Sequence, residues 1–347
     1  MSVSDSIPKH TVSSETDSPI CRPRSIVLAA HGSLAAANSN QPLFDLANAI
    51  ANHENVKQFF GDSPINVTPA FLNGDPEMVN VLDQLPVGDA VVVPVMTSQG
   101  YYLKALPGKY AQNKTAAQFR VYMAPVVGVH PSIASIISQR IVRILNEYQL
   151  DPANTTIAVI GHGTRRNKNS CKSTLALTDA LVENLSITHP ALQLKTGFLD
   201  QDPEASEVAA GISTKNTLVI PFLISRGPHT TVDVPESFGL PAGPDIEFPL
   251  VSASETRVCI CDSPLGLFPE MADVCLQLAI ETINNGTPIK LPFDSFEPES
   301  LEQELTKQEL TKQESPIRES TQPKSFETNE SPHFTAGLSA NTRGTNQ

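Results

Sequence analysis

The sequence predicts an α/β protein with two similar domains, each containing a four-stranded parallel sheet covered by helices on both faces. Short runs rich in β-branched residues alternate with longer amphipathic stretches, which is the pattern of strands joined by helical crossovers. Motifs of the first half also recur in the same order in the second half, which indicates a duplicated domain. The predicted domains span residues 25–150 and 151–287.

Eight apolar runs are predicted to form the strands. In the first half they are Ile26–Ala30, Ile65–Phe71, Ala90–Met96 and Val121–Val126. In the second half they are Ile157–Ile160, Leu194–Leu199, Leu218–Ile224 and Ile246–Val251. Amphipathic helices are predicted at Leu43–Ala51, Ile133–Tyr148, Ser173–Leu185 and Met271–Ile283. The strands and helices therefore alternate, as parallel sheets require.

The two ends of the chain lack this periodicity. Residues 1–24 contain Ser, Thr, Pro and scattered charges, and residues 288–347 are rich in Glu, Gln, Ser, Thr and Pro. Such segments bury too little apolar surface to offset the entropy lost on ordering. Both are predicted to be disordered tails, with a short frayed helix over Leu301–Gln313 as the alternative.

Composition excludes several classes of protein. The formal net charge of −13 opposes general affinity for nucleic acid and for anionic membranes. The apolar runs fall far short of the roughly 20 residues of a membrane helix, and the N-terminal segment lacks the apolar core of a secretory signal. We therefore expect a cytoplasmic protein that binds neither nucleic acid nor membrane.

Three pairs of motifs carry the internal repeat, and each lies at the carboxyl end of a predicted strand. The pairs are Ala29–Ser33 with Ile160–Thr164, Phe71–Glu77 with Phe198–Glu204, and Pro94–Gly100 with Pro221–Gly227. In an open parallel sheet, ligands bind in the crevice outside the carboxyl ends of the strands. The motifs are therefore predicted to lie at the ligand-binding edge of each sheet.

In the second half, this topology places His162, Asp200 and His229 at one edge of the sheet. Two imidazoles and a carboxylate suit a divalent transition metal and leave positions open for a substrate. Taken singly, the histidines are compatible with ordinary loop residues, and Asp200 with a turn or helix cap. His31 occupies the place of His162 in the first half, which favours a functional role for this histidine.

Basic residues cluster beside the same edge. Arg165, Arg166 and Lys168 follow His162, and Arg226 precedes His229. A solvated helix start is one interpretation, but positive charge at a helix N-terminus opposes the macrodipole. A bound anion, such as a polycarboxylate, explains the cluster better, so these four residues are predicted to bind substrate.

These motifs resemble those of the sirohydrochlorin chelatases of the CbiX/SirB type, within the class II tetrapyrrole chelatases. The resemblance rests on the His-Gly motif after the first strand of each half and on the Phe-Leu-acid motif of the second strand. The most specific piece is Pro221–Pro235, which reads Pro-Phe-Leu-x-x-x-Gly-x-His-x-x-x-Asp-Val-Pro. The resemblance covers roughly residues 25–285 and leaves out both tails.

The resemblance implies a chelatase-like, two-lobed enzyme that inserts Co²⁺ into sirohydrochlorin without ATP, for cobalamin biosynthesis. The alternatives are Fe²⁺ insertion for siroheme, or a non-catalytic carrier of tetrapyrrole or metal. The divalent metal is a substrate, and no organic cofactor is expected. A monomer is expected, because duplication supplies within one chain the interface that single-domain members obtain by dimerising.

Residue roles also follow from the resemblance. His162 and His229 are expected to bind the metal and accept the pyrrole protons, with Asp200 as a further ligand. His31 is expected to be the catalytic counterpart in the first half, which has Tyr102 at the place of His229 and Asn73 at the place of Asp200. The second half therefore holds the more complete site, and Tyr102 is expected to contact the substrate.

Cysteines raise the question of an iron–sulfur cluster, which some long-form chelatases carry. Cys259, Cys261 and Cys275 offer no Cys-x-x-Cys motif and no evident fourth ligand. Buried structural thiols are the favoured interpretation, and a cluster is not expected.

Overall fold

The computed structural model describes residues 24–33, 39–61, 65–86, 88–98, 120–165 and 168–285. The two predicted tails lie outside these ranges, apart from Arg24. In the described ranges, no helix is long and apolar enough to cross a membrane.

The first sheet contains four parallel strands. They are β1 (Ser25–Ala30), β2 (Asn66–Phe71), β3 (Ala90–Pro94) and β4 (Val121–Met123), in the spatial order β2-β1-β3-β4. The two central strands, β1 and β3, are buried along their whole length, as their continuous apolar sequences predict.

The second sheet repeats this order and adds one strand at its edge. Its strands are β5 (Thr155–Gly161), β6 (Gln193–Phe198), β7 (Asn216–Phe222), β8 (Leu250–Ala253) and β9 (Val258–Cys261), in the order β6-β5-β7-β9-β8. All neighbours are parallel except β8 and β9, which are antiparallel. The predicted α/β class is thereby confirmed, with one four-stranded parallel sheet and one five-stranded, mostly parallel sheet.

One strand assignment was wrong. The sequence predicts Ile246–Val251 as the fourth parallel strand of the second sheet, but β9 occupies that position. The segment that includes Leu250 instead forms the antiparallel edge strand β8. Both segments are short and apolar, and their composition does not specify strand direction.

Helices cover both sheets. In the first half they are α1 (Gln41–Ala51), α2 (Glu54–Phe60), α3 (Met78–Gln84) and α4 (Pro131–Glu147). In the second half they are α5 (Lys168–Ser186), α6 (Ala205–Ala210), α7 (Val234–Ser237) and α8 (Met271–Asn285). Short 3-10 turns lie at Val127–Val129, Pro152–Asn154 and Leu265–Leu267, and a π-helical turn at His229–Asp233 leads into α7.

The two halves exchange the helix that ends each of them. Helix α4 packs against α5 of the second half, and its Arg140 forms a bidentate ion pair with Asp262, directly after β9. Helix α8 packs against α1, β3 and β4 of the first half, where its Asp273 binds His53 at 2.8 Å. The two sheets therefore share one hydrophobic core.

A glycine lies at each point where the chain crosses between the halves. A Cβ atom on Gly128 would come within 2.4 Å of the Cα atom of Thr97, and one on Gly266 within 2.3 Å of the Ile224 carbonyl oxygen. Both positions therefore exclude a side chain, and the crossing turns lie directly on the backbone that follows β3 and β7.

Candidate functional site

The candidate site lies at the carboxyl ends of β5 and β7, which are neighbours in the second sheet. His162 is the first residue after β5, and Gly163 follows it with φ of +66°, a conformation that favours glycine. The His-Gly motif thus turns the chain sharply, so that the imidazole stays at the sheet edge.

Two oxygen atoms lie close to Nδ1 of the His162 ring. Its Nδ1 lies 2.6 Å from the carbonyl oxygen of Gly163 and 3.4 Å from Oδ2 of Asp200. Both partners are acceptors, so Nδ1 carries the proton in the neutral ring and Nε2 retains its lone pair. The side chain of His162 is 40% exposed, and its Nε2 makes no hydrogen bond within the described ranges.

His229 has an equivalent arrangement with a different acceptor. Its Nδ1 lies 2.6 Å from Oδ2 of Asp233 in the π-helical turn. Thr230 and Thr231 anchor this turn, because their backbone N–H groups and hydroxyls donate to the carbonyl oxygen of Gly227. Asp233 therefore fixes the proton of His229 on Nδ1 and leaves the Nε2 lone pair available.

The two imidazoles meet at the centre of the site. The ring centroids of His162 and His229 are 4.8 Å apart, and the ring planes make an angle of 84°. The structure thus brings together His162, Asp200 and His229, the three residues that the sequence analysis proposed as metal ligands. Their role in metal binding stays a prediction.

The ligand set is open rather than closed. In the described part of the chain, no three His, Cys, Asp or Glu side chains converge into a group that would hold an ion by themselves. Asp200 contacts Nδ1 of His162, so in this arrangement it orients that ring. Two imidazole nitrogens with free lone pairs suit a metal that also needs donors from a second molecule.

Four of the predicted substrate-binding residues flank the two histidines in the sequence. Arg165 is exposed and lies 3.9 Å from Asp202, and Lys168 is the first residue of α5. Arg226 donates from Nη2 to the carbonyl oxygen of Ile246, so part of its guanidinium is engaged by the protein. Arg166 and Tyr102 lie outside the described residues.

The first half repeats the His-Gly geometry. His31 follows β1, and its Nδ1 lies 2.7 Å from the carbonyl oxygen of Gly32. The backbone N–H of Asn73, at the place of Asp200, donates to the carbonyl oxygen of His31. An uncharged amide thus replaces the carboxylate, and the region equivalent to His229 falls in residues 99–119, outside the described ranges.

Three cysteines pack in or against the hydrophobic core. Cys259 and Cys261 belong to the core between the second sheet and helices α6 and α7, whereas Cys275 faces the shared core. Burial raises the pKa of the Cys259 thiol to about 11 and that of Cys275 to about 12, and it also raises the pKa of Cys261. All three thiols are therefore protonated and unreactive at neutral pH.

Asp233 is the site residue to which the sequence analysis assigned no role. The Gly-x-His-x-x-x-Asp motif could have identified Asp233 as a partner of His229, because residues four apart lie on the same side of a helical turn.

Comparison with known proteins finds similarity over most of the chain. The family model CbiX matches residues 25–144 and 156–282. A probable sirohydrochlorin cobaltochelatase of Halobacterium salinarum is 25% identical over 287 residues, which cover 77% of this chain and 93% of that protein.

Two solved structures share the fold. The structure of CbiX, described as the terminal enzyme for siroheme biosynthesis in denitrifying bacteria, superposes with a TM-score of 0.56 at 18% identity over 76% of this chain and 100% of that one. A multi-domain protein of Deinococcus radiodurans with structural similarity to chelatases gives 0.57 at 22% identity over 77% of this chain. The match spans 57% of the Deinococcus chain, which has two additional domains.

Proposed function

The chain belongs to the CbiX family, and from this premise we propose that it is a sirohydrochlorin chelatase that inserts a divalent metal ion into the tetrapyrrole without ATP. The proposed metal is Co²⁺, the ion named for the Halobacterium relative. The observation that carries the proposal is the edge-to-face pair of His162 and His229, in which each Nδ1 is engaged and neither Nε2 is hydrogen-bonded to a residue that the structure describes.

Metal insertion requires two pyrrole N–H bonds to break as metal–nitrogen bonds form. In the proposed reaction, the lone pairs of His162 and His229 first help to hold the metal ion beside the ring. As the ion moves to the pyrrole nitrogens, its bonds to the two Nε2 atoms break. The lone pairs that are freed then accept the departing protons, one each, and release them to solvent. Metal ion and protonated tetrapyrrole thus become metallated tetrapyrrole and two protons, without any redox step.

Two carboxylates support this proton transfer. Asp200 lies 3.4 Å from Nδ1 of His162, and Asp233 lies 2.6 Å from Nδ1 of His229. Each negative charge stabilises the imidazolium that forms when Nε2 accepts a proton. We place Arg165, Lys168 and Arg226 as partners for the substrate carboxylates, because all three border the histidine pair in the sequence.

Iron is the alternative metal, since Fe²⁺ accepts the same nitrogen and oxygen donors and the CbiX of denitrifying bacteria serves siroheme biosynthesis. We further propose that the chain acts as a monomer. The exchange of α4 and α8 supports this, because the two halves already cover one another within one chain.

The test is anaerobic metal insertion into sirohydrochlorin, followed by absorbance, with Co²⁺ and Fe²⁺ in parallel. We expect turnover to be lost in His162→Ala and His229→Ala and retained in His189→Ala, a matched control on an exposed loop. Loss in His31→Ala alone would move the active site to the first half. Tight tetrapyrrole binding without turnover of either metal would replace the enzyme by a carrier.

A further inference from the structure

A cavity lies in the second half, at the end of the sheet opposite to the histidine pair. It has a volume of about 410 Å³ and lies between the sheet and the short helices α6 and α7, beside Thr217 and Val258 at the beginnings of β7 and β9. Strands rise about 3.3 Å per residue, so Thr217 is roughly 16 Å from Phe222 at the other end of β7. The strand residues that line the cavity therefore lie at the end of the sheet opposite to the histidine pair.

One wall of the cavity is a row of polar side chains across three strands. Thr217 pairs with Cys259, which in turn pairs with Ser252, so the three side chains lie side by side on one face. Ser206 of α6 also lines the cavity. The hydroxyls of Ser206, Thr217 and Ser252 make no hydrogen bond within the part of the chain that the structure describes, although Thr217 is only 7% exposed.

Arg257 brings a positive charge to this row. Its backbone N–H donates to Oγ of Ser254, and its Nη2 donates to the carbonyl oxygen of Ile212 at 2.7 Å, so the side chain is held at the cavity. A guanidinium has five N–H donors, and most of them stay available. Among the described residues, Arg257 forms no ion pair, and no Asp or Glu lines the cavity.

We propose that this cavity binds a small organic anion, whose carboxylate or phosphate group contacts Arg257 and the hydroxyl row. The apolar part of the ligand would lie against Ala209, Ile212 and Phe238, which line the other side. The volume is within the range of small-molecule pockets and is much larger than the roughly 30 Å³ of a single water. This site is separate from the proposed chelatase reaction.

The test is calorimetric titration of the full chain with inorganic phosphate, phenyl phosphate and benzoate. We expect either phenyl phosphate or benzoate to bind at least about tenfold more tightly than inorganic phosphate. The tighter of the two shows whether the site prefers a phosphate or a carboxylate group. Arg257→Gln should weaken that binding about tenfold or more, because a charge-assisted hydrogen bond is lost. Ala209→Phe should abolish it by filling the cavity while Arg257 remains.

The matched control is Arg165→Gln, which removes the same charge beside the histidine pair and should leave the affinity unchanged. The absence of saturable binding at millimolar concentrations would overturn the proposal. So would equal affinity for inorganic phosphate, unchanged affinity in Arg257→Gln, or a loss in Arg165→Gln instead. Thermal unfolding of each variant verifies that it is folded.

Discussion

Asp233 accepts a hydrogen bond from Nδ1 of His229 at 2.6 Å, one turn further along the same helical segment. This contact orients the imidazole whose ring centroid lies 4.8 Å from that of His162. Asp233 is therefore a positioning residue, which acts on the proposed reaction through His229.

Replacement of Asp233 by Asn should lower metal-insertion turnover about 10–100-fold, the usual effect of losing a partner behind a metal-binding histidine. The loss should appear in kcat more than in the KM for tetrapyrrole, because Asp233 contacts the imidazole of His229 and is not proposed to contact the tetrapyrrole. Asp233→Glu should recover part of the activity, whereas a purely structural role would give two variants with equal defects. Steady-state kinetics of both variants decides the question.

The exchanged helix α4 should depend on its ion pair with the second half. Asp262 is 1% exposed and receives two hydrogen bonds from Arg140, which also lies 3.9 Å from the Phe268 ring centroid. Arg140→Met leaves a buried, unpaired carboxylate, so the free energy of unfolding should fall by about 3–5 kcal/mol. Denaturant titration measures this value.

The control for that prediction is on the same helix. Arg143 is 60% exposed and lies 3.8 Å from Glu270, so Arg143→Met should change the unfolding free energy by less than about 1 kcal/mol. Adding Asp262→Asn to Arg140→Met should recover stability, because it removes the unpaired charge. Equal effects of the two arginine variants would contradict this assignment.

The crossing turn at Gly128 should tolerate no side chain. Gly128→Ala places a methyl group 2.4 Å from the Thr97 backbone, so the unfolding free energy should fall by about 1–3 kcal/mol. Gly211→Ala is the matched control, since its new Cβ would meet no atom closer than 3.4 Å. Unfolding of both glycine variants at the same denaturant concentration would contradict a close contact between Gly128 and the Thr97 backbone.

Alkaline pH should destabilise the protein through Cys275. Burial raises the pKa of this thiol from its ordinary value of 9.0 to about 12, so between these values the unfolded chain releases a proton that the folded chain keeps. The stabilising contribution is fully present below pH 9 and is lost as pH rises, at about 1.4 kcal/mol per pH unit.

Cys275→Ala isolates this effect, because all other titrating groups stay in both proteins. The variant should be less stable at neutral pH, where a small cavity is its main defect, but its unfolding free energy should fall less steeply with pH above pH 9. Parallel curves for the two proteins in urea titrations would mean that Cys275 ionises equally in both states.

The convergence of His162, Asp200 and His229 could be predicted because parallel strands end at a common edge, whatever the details of packing. The exchange of α4 and α8 between the halves could not be predicted from the sequence. Apolar periodicity shows which face of a helix is buried, but it does not show which sheet the face meets. The direction of the edge strand β8 was missed for a similar reason, since antiparallel pairing depends on the turn before β9.

The exchanged helices determine what happens if the chain is divided. A cut between residues 150 and 151 would give two fragments, each carrying the helix that belongs on the other. Residues 25–150 would expose the side of β3 and β4 that α8 covers, and α4 would have no partner. Neither fragment should fold alone, and mixing them should restore one heterodimer. Duplication has thus made two copies of a domain into a single cooperative folding unit.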